Sequence, residues 1–239
     1  GKGPGVDRSG DALKHGNYAG SSKYGGVLAL AGDDHAAKSS TTAHQSDHAF
    51  IHFGMPILNP ATVQDYIDFG LMGIAMSRYS GCWIGMKCIT DTVESAASVD
   101  IGLKRFNPVL PDISDEEGDL HLQWGYMPAM SESRLYKQRL PAAQAFARVN
   151  SIDKVIFQGQ KKLAIVTSGK AYLDVRQSLD ELGLSENLCS KIGISLYKVG
   201  MVWPLEPKNI SNFVNGNEEV LVVEEKRPIV EDQLMKYLY

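Results

Sequence analysis

The sequence predicts an α/β protein built on parallel sheets, arranged as two units joined by a long connection. Three observations carry this. GGVLALA, Gly25 to Ala31, is an uninterrupted apolar run bounded by glycine, the pattern of a strand buried on both faces. From Lys162 onward, strand and helix patterns alternate three times, the order that parallel strands with right-handed crossovers produce. Between these parts, residues 107–140 turn acidic and proline-containing, as an exposed connection does.

Each element follows in order. Residues 1–24 are glycine-rich and without clear period. The run Gly25–Ala31 stops at Gly32, Asp33 and Asp34. Ser39 to Thr42 then offer hydroxyl caps to a short helix around His44 to Phe53. Asn59-Pro60 reads as a cap with proline at the first helical position, followed by a helix carrying Val63, Tyr66, Ile67 and Leu71 on one side. A second strand spans Cys82 to Ile89. In the connection, Asp112, Asp115, Glu116, Glu117 and Asp119 read as a solvated run, because like charges repel and stay wet. HLQWGYMPAM, with its aromatic and Met side chains, reads as packing on the flanking units. LAIVTSG is then a strand and AYLDVRQSLDELG a helix stopped by Gly183. ISLYKVGMVWPLE is one strand with its exit, and PKNISNFVNG a helix. EVLVVEE is the last strand and VEDQLMKYLY the last helix.

The totals exclude several classes. The 239 residues are 44% hydrophobic and 22% charged, enough for a sizeable core. The net charge of -4 leaves no electrostatic footprint for nucleic acid. No apolar run approaches the ~20 residues of a membrane span. The opening GKGPGVDRSG holds no apolar core of a signal peptide. Cys82 and Cys88, six positions apart on a strand, stand ~20 Å apart, too far for a disulfide or a shared metal. Three reduced thiols and a cytoplasmic location are the default expectation. The chain opens without Met and ends on a helical pattern with no stop, so it reads as part of a longer polypeptide.

Ligands of open α/β sheets bind beyond the carboxyl ends of the strands. That selects the loops Gly32–Thr42, the segment after Ile89, Thr167–Lys170 and Glu224–Pro228. The first is richest, with Asp33, Asp34, Lys38 and the hydroxyls of Ser39, Ser40, Thr41 and Thr42, then His44 and Gln45. Two readings stay open for those hydroxyls: helix capping, or a binding edge. His44, His48 and His52 recur at helical spacing, but a zinc-protease pattern needs a glutamate where Gln45 stands, so no metal site is assigned. His44 alone is an acid/base candidate, since imidazole titrates near neutrality. GKGPG lacks the Lys-Ser/Thr of a phosphate-binding loop. Lys2, Asp7, Arg8, Lys14 and His15 read as a surface loop or as site lining. TSGKAY is a tight strand-to-helix turn or an anion site beside Lys170. EEKRP is a unit contact or a site wall.

Taken together, GKGPGVDRSGDALKHGN, GGVLALAGDDHAAKSSTTAHQSDHAF, RLPAAQAFARVN, TSGKAYLDVRQSLDELG, LYKVGMVWPLEP and VVEEKRPIVEDQL resemble the fused indolepyruvate ferredoxin oxidoreductases. The resemblance covers nearly the whole chain. It implies that residues 1–107 are part of a thiamine-diphosphate pyrimidine-binding domain, 108–161 a connection, and 162–239 a transketolase C-terminal-like domain. Enzymes of that family oxidatively decarboxylate an aryl 2-oxoacid, hand the acyl group to coenzyme A and pass electrons through iron–sulfur clusters to ferredoxin. Ser39 and Ser40 match the Ser-Ser of the family's simpler two-subunit relatives; Thr41, Thr42 and Ala43 depart from it. The family's activating glutamate, its Gly-Asp-Gly site for diphosphate and Mg²⁺, and its cysteine clusters have no counterpart in the sequence. Gly32-Asp33-Asp34 only imitates the Gly-Asp-Gly.

The expected function is therefore part of a thiamine-dependent oxidoreductase site. Asp33, Asp34, Ser39, Ser40, Thr41, Thr42 and Gln45 would bind cofactor or substrate, and His44 is the catalytic candidate. Other domains of the same polypeptide, ferredoxin and coenzyme A are the expected partners, with a homo-oligomer for the longer protein. The chain alone is expected to be inactive. The competing expectation is a non-catalytic docking module, and a weaker one a metal-dependent hydrolase using His44 and His48.

Overall fold

A computed structural model describes residues 1–112, 119–122 and 128–238. The solvated reading of Asp115, Glu116 and Glu117 and the packing expected of 123–127 lie outside the described residues.

The first sheet has the order β1-β3-β2-β7, with β1 at Leu28–Asp33, β2 at Ile57–Leu58, β3 at Ile84–Ile89 and β7 at Met201–Trp203. β3 lies parallel to both β1 and β2, and β7 closes the sheet antiparallel to β2. The second sheet has the order β4-β6-β5-β8, with β4 at Lys154–Phe157, β5 at Leu163–Ser168, β6 at Ile194–Val199 and β8 at Glu219–Val223. β5 is parallel to β6 and β8, while β4 is an antiparallel edge. The expected α/β class and parallel sheets are thus present, each with one antiparallel edge strand, a common arrangement in such sheets.

Helices cover the faces. α1 (Gly3–Arg8), α2 (Gly10–Ala19) and α3 (Asp47–His52) precede α4 (Val63–Ser80) and a single turn, α5 (Thr90–Val93). α6 (Pro128–Arg134) runs through a π turn at Leu135–Arg139 into α7 (Leu140–Val149). α8 (Gly169–Glu181), α9 (Glu186–Ile192), α10 (Pro207–Val214) and α11 (Val230–Leu238) belong to the second half. α10 buries Ile210, Phe213 and Val214, each large side chain worth about 1.5–3 kcal/mol when fully removed from water.

One core unites the two sheets. Ala31, Phe50 and Ile57 from the first half cluster with Ala164, Val166, Tyr197, Val199, Val202, Phe213 and Val230 from the second. A second cluster packs α4 and α7 on the first sheet, and a third packs α8 and α9 on the second. The strand expected from ISLYKVGMVW is two strands in different sheets. The chain crosses between them at Gly200, where a side chain would run into the Ile152 carbonyl. Asn59 donates its backbone N–H to the Gly200 carbonyl at 2.9 Å. This crossing ties the halves into one body, which an alternating hydrophobic pattern does not reveal.

Several expectations change. Residues 1–24 contain two helices, held by tertiary contacts despite their glycines. β1 is the outermost strand of its sheet, paired along its length with β3 and met on its other side by Gly1 and Lys2, and Leu30 is 50% exposed; β3 is buried at every position but Cys88. Thr62, not Asn59, caps α4, in a reciprocal box with Asp65. The buried side of α4 is Phe69, Gly73, Met76, Ser77 and Ser80, whereas Leu71 faces out. The stretch 108–161 contains α6, α7 and β4 as well as loop. α9 was not expected from the sequence, although Ser185 caps it and Gly193 ends it in the left-handed region.

Candidate functional site

The carboxyl end of β1 delivers Asp33 and Asp34 into a turn-rich loop that reaches α3. Both are buried, and both organise backbone. Asp34 accepts the N–H groups of Lys38 at 2.9 Å and Ser39 at 2.8 Å. The Ser39 amide is the main reason its carboxyl is held below the ordinary range. Asp33 accepts the Ser46 N–H at 2.8 Å and the Ser46 hydroxyl at 2.5 Å. Its inner oxygen also lies 3.3 Å from His44 Nδ1.

His44 stands at the loop's edge, with its side chain 13% exposed. Nε2 lies 3.1 Å from Asp7 of α1. A side chain at Gly3 would overlap the imidazole, so α1 approaches the ring through a residue with no Cβ. Lys2 donates to the Ser39 carbonyl and hydroxyl, both at 2.9 Å. Asp7 and Lys2, among the opening residues read as loop or lining, therefore touch the site. Lys14 instead lies over Tyr18 and His15 beside Asp11.

The helix-capping reading of Ser39 to Thr42 falls. α3 begins only at Asp47, and these residues precede it by a loop. Ser40 is half-buried beside Asp34, while Thr41 and Thr42 are exposed. His44 likewise precedes α3, so the three histidines do not share one helix face. Burial holds His48 below its ordinary pKa, and His52 packs edge-on against Phe53. Among the described residues, no group of three or more His, Cys, Asp or Glu side chains is placed to hold a metal ion.

The second half buttresses the loop. Gln45 Oε1 accepts from the N–H and the Nε of Arg227, and Gln45 Nε2 donates to the Arg227 carbonyl, all at 3.3 Å. Lys226 donates to the His35 carbonyl at 2.8 Å. Glu225 lies 3.6 Å from His35. Burial works to raise the Glu225 carboxyl, but His35, Lys87 and Lys170 together leave it below the ordinary range. EEKRP is thus a contact between the halves. Glu224 accepts the N–H groups of Ile229, Val230 and Glu231 and so caps α11. Beneath the loop, Gln45, Asp47, Asn59, Lys87, Ser168 and Glu225 surround a small polar cavity. Lys87 and Asp47 are ion-paired there at 2.8 Å. Lys38 pairs with Asp91 at 2.9 Å. Lys170, read beside a possible anion site, pairs with Asp174 on its own helix.

Sequence reasoning missed Ser46, Lys87 and Gly3. A lysine inside an otherwise apolar strand, as in IGMKCI, was the one available signal, since buried lysines are paired.

The cysteines are free. Burial pushes the Cys82 thiol up to about 12 and that of Cys88, half-buried rather than fully so, up to about 11. No helix among the described residues is long and apolar enough to cross a membrane.

The α/β fold of the chain has a parallel among solved structures. A 2-oxoglutarate:ferredoxin oxidoreductase from Magnetococcus marinus superposes with a TM-score of 0.61 at 14% identity, covering 99% of this chain and 47% of that one. The class of fold is thereby defined. Residues 152–239 match the family model described as the indolepyruvate ferredoxin oxidoreductase middle domain. The chain is 23% identical over 216 residues to the indolepyruvate oxidoreductase subunit IorA of Methanothermobacter thermautotrophicus, covering 88% of this chain and 32% of that protein. It is 24% identical to the IorA subunit of Pyrococcus abyssi, over 90% of this chain and 33% of that one. The chain is thus similar to a segment of the indolepyruvate ferredoxin oxidoreductases. It spans about a third of the length of these relatives.

Proposed function

We propose that this chain forms one wall of the thiamine diphosphate and substrate site of a larger oxidoreductase. That enzyme oxidatively decarboxylates an aryl 2-oxoacid of the indolepyruvate kind to an acyl-CoA, with ferredoxin as electron acceptor. The observation that carries the reading is the loop at the carboxyl end of β1. Asp33 and Asp34 fix its backbone, and Ser40, Thr41, Thr42 and the edge of His44 lie on its rim, where strand ends of both sheets converge. Strand ends of this kind are where α/β sheets place ligands.

The donor set fits part of a polar ring and its substrate. The rim offers hydroxyls and an imidazole, while Asp34, Gln45 and Ser39 are engaged in holding the loop. When bound, thiamine diphosphate supplies the electron sink for decarboxylation. This chain's residues orient one edge of the ligand and keep water from it. On this reading, Mg²⁺ with the diphosphate, the iron–sulfur clusters and the activating glutamate come from polypeptide outside the chain. The domains suggested by the resemblance, 1–107 and 162–239, then act as one body through their common core, and the chain alone does not turn over substrate.

The test uses the longer enzyme that contains this chain. Ser40→Ala and His44→Ala are each expected to lower oxoacid-dependent ferredoxin reduction at least tenfold. Unchanged rates in both would end the site assignment. A second reading, a docking module without catalytic contacts, is favoured by one observation. α4 is apolar on its outer side as well, where Ile67, Leu71, Met72, Ile101 and Phe106 line a groove of about 600 Å³.

A further inference from the structure

His44 is held between acceptors on both sides. Nδ1 lies 3.3 Å from Asp33 Oδ1 and 3.3 Å from Ser46 Oγ. The Ser46 hydroxyl already donates its one hydrogen to Asp33, so toward the ring it offers only lone pairs. An ionised carboxylate also only accepts. Nε2 faces a second carboxylate, that of Asp7, at 3.1 Å. Neutral imidazole carries one N–H and one bare lone pair. Setting that lone pair against either carboxylate would put two acceptors in contact. Both contacts are satisfied at once only by a ring with a hydrogen on each nitrogen.

The two carboxylates are not equivalent. The Asp33 side chain has 0% exposure and is anchored at the end of β1 by Ser46. The Asp7 side chain is 60% exposed and sits on a six-residue helix with no side-chain cap. Asp7 is the partner that can leave.

We propose that His44 donates its Nε2 hydrogen to an anionic oxygen of the ligand, and that the Asp7 carboxylate occupies that oxygen's place until the ligand arrives. Asp33 and Ser46 are positioning residues, which hold the ring through Nδ1. The inference rests on the site reading above and narrows it: His44 meets a carboxylate or a developing oxyanion. The exchange balances. The Nε2–H···Asp7 hydrogen bond breaks as Nε2–H···O⁻ forms. If the proton then moves, the oxyanion becomes a hydroxyl and the ring keeps the Nδ1 hydrogen against Asp33.

The experiment is long-range ¹⁵N–¹H NMR of the full chain at neutral pH, reading the two ring nitrogens of His44. Wild type is expected to show both nitrogens protonated. Asp7→Ala is expected to leave Nδ1 protonated and convert Nε2 to the bare type. Adding pyruvate as a carboxylate probe should return Nε2 of Asp7→Ala to the protonated type, at concentrations that leave wild type unmoved. A bare nitrogen in wild type, an Asp7→Ala spectrum identical to wild type, or a pyruvate-insensitive Asp7→Ala would each overturn the proposal. Ser46→Ala, a milder change than any at Asp33, should loosen Nδ1 without unfolding the chain. These readouts do not need turnover. If they hold while Ser40→Ala and His44→Ala both leave the longer enzyme's activity intact, the site reading fails and the donor state of His44 stands.

Discussion

Asp153 accepts the backbone N–H of Gly200 at 2.8 Å, at the residue where the chain leaves the second sheet for the first. The same oxygen takes the Met201 N–H at 3.0 Å. The other oxygen is buried, and so is the hydroxyl of the neighbouring Tyr197. Burial raises the Asp153 carboxyl from 3.8 to about 6, with Glu206 adding to the rise against the two amide hydrogen bonds.

A raised folded-state value means that the native chain binds this proton more tightly than the unfolded chain does. The stability it contributes is complete below about 4 and is lost as pH rises through about 6. Asp153→Asn keeps an acceptor for Gly200 and stays neutral. It should match wild type near pH 4 and exceed it by up to about 3 kcal/mol at pH 7.5, because each tenfold gain in proton affinity corresponds to about 1.4 kcal/mol. Urea midpoints at the two pH values decide this; the same offset at both would discard the explanation.

Arg139, buried at the π turn, donates to the carbonyls of Asn17, Tyr18, Ala19, Leu120 and His121. Arg139→Ala leaves several of these without a partner. The expected cost is on the order of 3–5 kcal/mol, since each unsatisfied buried acceptor costs about 1–3 and relaxation recovers part. Chemical denaturation measures it. A loss below about 1 kcal/mol would show that the end of α2 does not depend on the guanidinium.

Lys87 and Asp47 test the buried ion pair beneath the loop. Lys87→Met strands the Asp47 carboxylate and should cost about 3–5 kcal/mol. Adding Asp47→Asn should recover a large part of that loss, because no unpaired charge then remains buried. A strictly additive double variant would exclude coupling between the two.

Gly3→Ala places a methyl where the His44 ring sits. The ring or α1 must shift. In the longer enzyme, activity should drop about 10²-fold, the typical cost of an ångström-scale displacement of a functional group. Gly5→Ala, which meets nothing nearby, should leave activity unchanged.

By itself the sequence determined the local alternation and the chemistry of the loop. Periodicity located β3, β5, β8, α8, α10 and α11, because a half-buried helix or a covered strand writes its burial into residue order. The Asp-Asp and Ser-Ser-Thr-Thr stretch could be singled out because polar groups cluster just beyond an apolar strand. Tertiary structure decided what no local pattern encodes. ISLYKVGMVW reads as one strand, yet it is shared by two sheets, since strand membership depends on partners far along the chain. The second opening helix forms although its glycines disfavour helix, because Arg139 and Asn17 tie it down. His44 lost its helical company with His48 and gained Asp7 and Asp33, since which carboxylates meet a ring depends on how distant segments pack. A sequence pattern reports which groups are available, and packing settles which of them touch.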